Sequence, residues 1–174
     1  NKKFFLFLNK NASKILNLKS PFIEKSIYQS CSIKKKIVQK DEKEKGIRKI
    51  LNFGHTFAHA YEATLKYSKK LNHGEAVLYG ISNASKFSFK NNLLSKNEFE
   101  LIKNHLIKFK LPIKLNKKFS NKNLVKIISF MKKDKKNNEN KINLVLLKKI
   151  GKPIYNLNFN EKKLYSFLKE ELIN

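Results

Sequence analysis

The chain alternates between stretches of helical period and short polar breaks. Residues 1–20 read as a weak helix followed by a turn, and Ser20-Pro21 looks like an N-cap with Pro at the first helical position. From there Phe22, Ile23, Ile27, Cys31, Lys34 and Val38 keep helical spacing to about residue 40. The run DEKEKG (41–46) is a charged connection, and residues 47–66 read as a second helix, the densest part of the sequence. Tyr67–Asn72 is a polar loop. A helix over 73–91 then carries Gly74, Ala76, Gly80 and Ala84, small residues that imply close packing against a neighbour. Ser95-Lys96-Asn97-Glu98 has the pattern of a capping box. It opens a helix bearing Phe99, Ile102, Leu106 and Phe109, which stops near Pro112. Ser120 caps another, with Leu124, Ile127, Ile128 and Met131. The period then changes: 142–147 and 153–157 are β-like runs around Gly151, a small hairpin. Asn160 caps a last helix with Leu164, Phe167, Leu168 and Leu172. The expected fold is mainly α: one multi-helical domain over 1–174, with a single β-hairpin near 142–157.

A polar line interrupts the apolar second helix. Arg48, Asn52, His55, His59 and Glu62 follow at intervals of 4, 3, 4 and 3, which on one helix puts all five on one face. Their neighbours include Ile47, Ile50, Leu51, Phe53, Phe57 and Tyr61, so this face meets a site or a partner network rather than solvent. Gly54 then sits mid-helix, at a cost of about 1 kcal/mol relative to Ala, which points to something approaching the backbone closely. His73-Gly74-Glu75 opens the next helix, and His55 and His73 can meet if the two helices pair antiparallel. Converging imidazoles and a carboxylate form a zinc-like set. Spacing alone selects His55 and His59, at i and i+4, and two satisfied structural histidines fit the same pattern. His105, on a Lys-rich amphipathic helix, reads as surface.

Charge changes the picture less than its size suggests. The net charge is +26, from 39 basic and 13 acidic residues. A nucleic-acid or anionic-membrane binder would look like this. Yet 38 of the 39 cations are Lys, and Asn occurs 22 times. Lys, Asn, Ile and Phe share AT-rich codons, so drift accounts for the total. The lysines are scattered in short groups such as Lys34–Lys36, Lys117–Lys118 and Lys132–Lys133, and neither zinc-finger spacing nor an RNA-binding aromatic motif is present. Arg48, the single Arg, stands out because its planar fork grips carboxylate or phosphate in a way Lys cannot reproduce. One cysteine, Cys31, excludes a disulfide framework, and no apolar run reaches the roughly 18 residues of a membrane span. The chain opens on Asn1 and its only methionine is Met131, which fits a processed chain or a fragment, and a fragment is expected.

SCSIK (30–34), DEKEKGIRKILNFGHTFAHAYE (41–62), HGEAV (73–77), MKKDKKN (131–137) and INLVLLKKIGK (142–152) together resemble the C-terminal helical domain of 3-dehydroquinate synthase, in order and spacing. Residues 1–20 and 158–174 align weakly, and Ala58 stands where the family usually has Gly. The resemblance implies a shikimate-pathway lyase that uses NAD and a divalent metal, zinc or another such as cobalt. It would convert 3-deoxy-D-arabino-heptulosonate 7-phosphate to 3-dehydroquinate and phosphate. Carried over residue by residue, His55 and His73 resemble the two histidine metal ligands. His59 resembles a substrate-contacting histidine that helps move protons, with Lys34 beside it in the catalytic set. Asn52 and Lys135 look like phosphate contacts, and Arg48 and Lys34 like contacts to the substrate's anionic and hydroxyl groups.

The third ligand, a Glu, and the NAD-binding domain are expected upstream of Asn1, with Glu75 a weak substitute ligand in the isolated chain. The resemblance further implies a cytoplasmic enzyme, homodimeric at full length, with no nucleic-acid or membrane partner. The alternatives are a sister sugar-phosphate cyclase such as 2-deoxy-scyllo-inosose synthase, and a basic nucleic-acid-binding domain.

Overall fold

Small residues determine how the central helices meet. In the computed structural model, which describes residues 1–111, 119–133 and 141–173, helix α3 (His55–Thr64) crosses against α4 (His73–Lys90) at two glycines. A Cβ on Gly80 would fall 2.1 Å from the Gly54 carbonyl oxygen, and one on Gly54 would fall 2.6 Å from the Ile81 amide nitrogen. The close approach expected at Gly54 is therefore the backbone of α4. Gly54 itself is not mid-helix. It is the N-cap of α3 at φ +84°, a left-handed conformation that costs Gly little. The expected single helix over 47–66 is thus two pieces, a 3-10 segment (Ile47–Asn52) and α3, with the reversal at Phe53-Gly54.

The remaining elements follow the periodicity. Helices α1 (Lys2–Leu16) and α2 (Phe22–Lys40) precede the 3-10 segment. Pro21 takes the N-cap position of α2, one residue earlier than the expected N1. After α4 come α5 (Lys96–Lys108), α6 (Asn121–Lys132), strands β1 (Lys141–Lys149) and β2 (Lys152–Asn160), and α7 (Glu161–Leu172). Ser120 and Asn123 form a capping box at α6, and the Asn160 side chain accepts from the Lys163 amide at α7. The strands pair antiparallel through Ile142–Phe159 and Leu144–Leu157, with a register shift before Leu146–Ile154, and turn at Gly151 (φ +83°).

The main core joins α3, α4, α6, β1 and α7. Tyr61, Phe57, Phe87, Leu124, Ile127, Ile142 and Leu164 are fully buried there, and each aliphatic side chain is worth about 1.5–3 kcal/mol. A smaller cluster of Leu94, Phe99, Ile102, Leu106, Leu147 and Ile150 receives Phe5 from α1.

Two local expectations change. Ser95 accepts from the Glu98 amide at 3.4 Å, but the Glu98 carboxylate does not close the box. It accepts instead from the Ile150 amide at 2.6 Å and from Lys2 Nζ at 2.6 Å, joining α1, α5 and the hairpin end. His105 is not a surface residue. It is half-buried, with Nδ1 2.9 Å from Asn9 Oδ1 and its ring between Phe5 and Phe109, and burial first, then Lys108, holds its pKa below the ordinary value. Among the described residues, no helix is long and apolar enough to cross a membrane.

Candidate metal and anion site

The N-termini of α3 and α4 deliver the candidate chemistry to one place. His55 is the first residue of α3 and His73 the first of α4. Their ring centroids lie 5.9 Å apart, and His59, one turn along α3, lies 5.6 Å from His55 and 6.1 Å from His73. His59 and His73 are exposed, and His55 is half-buried. Two helix N-termini oriented this way also favour negative charge beside them.

Glu62 completes the group. It is buried on α3, one turn beyond His59, and both carboxylate oxygens lie 3.2 Å from His73 Nδ1. His59, Glu62 and His73 each offer a ligand atom, all within 4.8 Å of one another. Imidazole nitrogen with carboxylate oxygen is a donor set that suits a divalent metal of zinc's kind, so His59, Glu62 and His73 have the chemistry to fit one, while His55, the expected partner of His73, lies outside that triad with its ring 5.9 Å from the His73 ring. Sequence spacing marked Glu62 as part of a polar line but gave it no role. Its i+3 relation to His59 and i+7 relation to His55 was the available signal. Glu75 is occupied differently. Its carboxylate accepts from the Asn72 amide at 3.3 Å while Asn72 Oδ1 accepts from the Glu75 amide, a capping box for α4.

Next to this cluster a charged turn holds Arg48 and Asn52. Asp41 accepts from the amides of Lys45 (3.0 Å), Gly46 (2.8 Å) and Arg48 (3.0 Å), which ties 41–46 over the start of the 3-10 segment. The Arg48 amide is the largest of the effects that hold the Asp41 carboxyl below its ordinary range. Arg48 Nη1 donates to the Glu42 carbonyl, and Asn52 Nδ2 donates to Glu44 Oε1 at 2.6 Å. Because the helix breaks at Gly54, Arg48 and Asn52 do not continue the face of His55, His59 and Glu62. They belong to a separate turn that precedes it in the chain. Lys34 lies exposed on α2, which packs against the 3-10 segment. Lys135 lies outside the described residues. No Gly-rich dinucleotide loop occurs among the chain's five glycines.

Fold and cluster together define a helical domain with a candidate divalent-metal centre. Residues 1–137 match the family model described as 3-dehydroquinate synthase C-terminal, and the chain belongs to that family. It is 67% identical over 171 residues to the 3-dehydroquinate synthase of Pelagibacter ubique (strain HTCC1062), covering 98% of this chain and 46% of that protein. The chain thus spans about half the length of the curated relatives it matches. Its fold is similar to that of a 2-epi-5-epi-valiolone synthase from Streptomyces hygroscopicus subsp. jinggangensis 5008 with NAD+ and Zn2+ bound (TM-score 0.81, 16% identity, 97% of this chain and 46% of that one). It is also similar to a 2-deoxy-scyllo-inosose synthase complexed with carbaglucose-6-phosphate, NAD+ and Co2+ (TM-score 0.67, 26% identity, 87% and 40%).

Proposed function

We propose that this chain is the metal- and substrate-binding half of a 3-dehydroquinate synthase, acting on 3-deoxy-D-arabino-heptulosonate 7-phosphate. The convergence of His55, His59 and His73, with ring centroids 5.6, 5.9 and 6.1 Å apart, carries this reading. His55 and His73 would hold a divalent metal, which would supply Lewis-acid polarisation of substrate oxygen. His59, exposed beside them, takes and returns protons near the departing phosphate. Arg48, Asn52, Lys34 and Lys135 bind the anionic and hydroxyl groups, Arg48 through its planar fork. NAD and a third ligand, a Glu, belong to a part of the protein outside these 174 residues. The full-length enzyme is on this reading a cytoplasmic homodimer.

The test is a chimera in which this chain replaces the matching 46% of the Pelagibacter ubique relative. Phosphate release and dehydroquinate formation are expected with NAD and zinc. A folded chimera without turnover would overturn the reading. The 26% identity to a 2-deoxy-scyllo-inosose synthase supports one alternative, a sister cyclase. It predicts no turnover of the heptulosonate phosphate. The isolated chain, with two histidines where catalytic zinc sites keep three protein ligands, is expected to bind zinc weakly and form no product.

A further inference from the structure

We infer that Glu62 is a positioning residue that fixes the tautomer of His73 and so selects the ring nitrogen His73 presents to the site. The inference deepens the proposal that His73 is a metal ligand and rests on it for its functional consequence.

The geometry gives one answer. Both Glu62 oxygens lie 3.2 Å from His73 Nδ1. An ionised carboxylate only accepts, so the shared hydrogen sits on Nδ1. A neutral imidazole with Nδ1–H has its lone pair on Nε2, and Nε2 is then the atom free for a metal or a substrate proton. The burial is unequal in a way that fits this division. The Glu62 side chain is 10% exposed and the His73 side chain 61%. Glu62 is held within the α3–α4 contact while the far edge of the His73 ring faces outward. A buried carboxylate is costly unless it is hydrogen-bonded, and the imidazole meets that need. A carboxylate behind a ligating histidine also limits its rotation. Within the His59, Glu62 and His73 group, Glu62 is therefore the carboxylate that acts through His73 and not a third donor to the metal.

The 174-residue chain with 15N-labelled histidine tests this at pH 8 without metal. Long-range 15N–1H correlation reads each ring's tautomer. His73 is expected as the Nδ1–H form in the native chain and in Glu62→Gln, whose amide oxygen still accepts. Glu62→Ala should shift it toward the Nε2–H form. An Nε2–H tautomer in the native chain, or an unchanged one in Glu62→Ala, overturns the inference. The native measurement needs no variant, so a misfolded Glu62→Ala does not block it. Zinc titration is the second readout. Glu62→Ala is expected to weaken binding about 10–100-fold, with Glu62→Gln between the two. Equal losses in Glu62→Gln and Glu62→Ala, with a changed Co2+ absorption band, would make Glu62 a ligand and overturn the inference. Native zinc binding that survives His73→Ala undiminished would instead refute the ligand reading, leaving the tautomer result to stand separately.

Discussion

Gly80 meets Gly54 so closely that a Cβ on Gly80 would lie 2.1 Å from the Gly54 carbonyl oxygen. The obstructing atom is backbone, so no side-chain rotation relieves it. That same carbonyl accepts the Ala58 amide at 3.0 Å, the first hydrogen bond of α3. The contact therefore sets both the separation of α3 and α4 and the start of the helix that carries His55.

Gly80→Ala is accordingly expected to destabilise the chain by about 1–3 kcal/mol or more, as overpacking does. It should also weaken zinc binding, because α4 carries His73 away from His55. Thermal denaturation and zinc titration check both. A stable Gly80→Ala chain with native zinc affinity would show that the two helices can shift apart freely.

Glu98 gives a pH dependence. Burial raises its pKa, but the Lys2 ammonium and the Ile150 amide together outweigh that and hold the carboxyl below its ordinary value of 4.5. A depressed carboxyl adds stability above the unfolded value and loses it as pH falls through the folded one. Glu98→Gln should cost about 1.5–3 kcal/mol at pH 7, where a charge-assisted bond is lost. That gap should close below pH 4.5. Urea denaturation at pH 7 and pH 3 checks this, and a gap independent of pH would rule it out.

Arg48→Lys keeps the charge but removes the fork and the donor that reaches the Glu42 carbonyl. In the chimeric full-length enzyme we expect kcat/KM to fall about 100-fold, the scale of a misplaced substrate contact. Unchanged kinetics would make the chain's single Arg a coincidence.

The charge of +26 should be incidental to function. Lys2, Lys86, Lys90, Lys103 and Lys132 are already committed to carboxylates on several different elements. Binding to random duplex DNA is expected to be weak and to fall more than about tenfold between 50 and 200 mM salt. Tight binding that resists salt would restore the nucleic-acid reading.

Most of the helices were legible because their apolar positions recur at 3.6 residues and their caps are local: Ser95, Ser120 and Asn160 each sit at the N-cap of a helix. The hairpin was legible from its change of period and from Gly151. The break at Gly54 was not, because Arg48 to Glu62 fits one helical wheel whether or not the helix is continuous. Only the α4 backbone at Gly80 and Ile81, remote in sequence, leaves no room for a side chain there. Glu98 illustrates the same limit. Its capping-box spacing is correct, but Ile150 and Lys2, both remote in sequence, hold its carboxylate. His105 was misread because its partners, Phe5 and Asn9, lie on a helix that periodicity could not dock. In the site, the meeting of His55 with His73 was foreseeable from two histidine-bearing helices in succession, whereas the Glu62 contact depends on the angle at which they cross.

The whole imidazole–carboxylate group comes from residues 55–73, one uninterrupted stretch of chain. Its geometry is thus insulated from length changes elsewhere. Insertions in the hairpin or before α7 leave the spacing of His55, His59, Glu62 and His73 untouched. The exception is the connection between Leu65 and Asn72, whose length sets how far α4 can reach back to bring His73 beside His55. That short loop is where evolution can retune the site without replacing any of its side chains, and where a designer grafting it onto another helical pair would have to keep the count fixed.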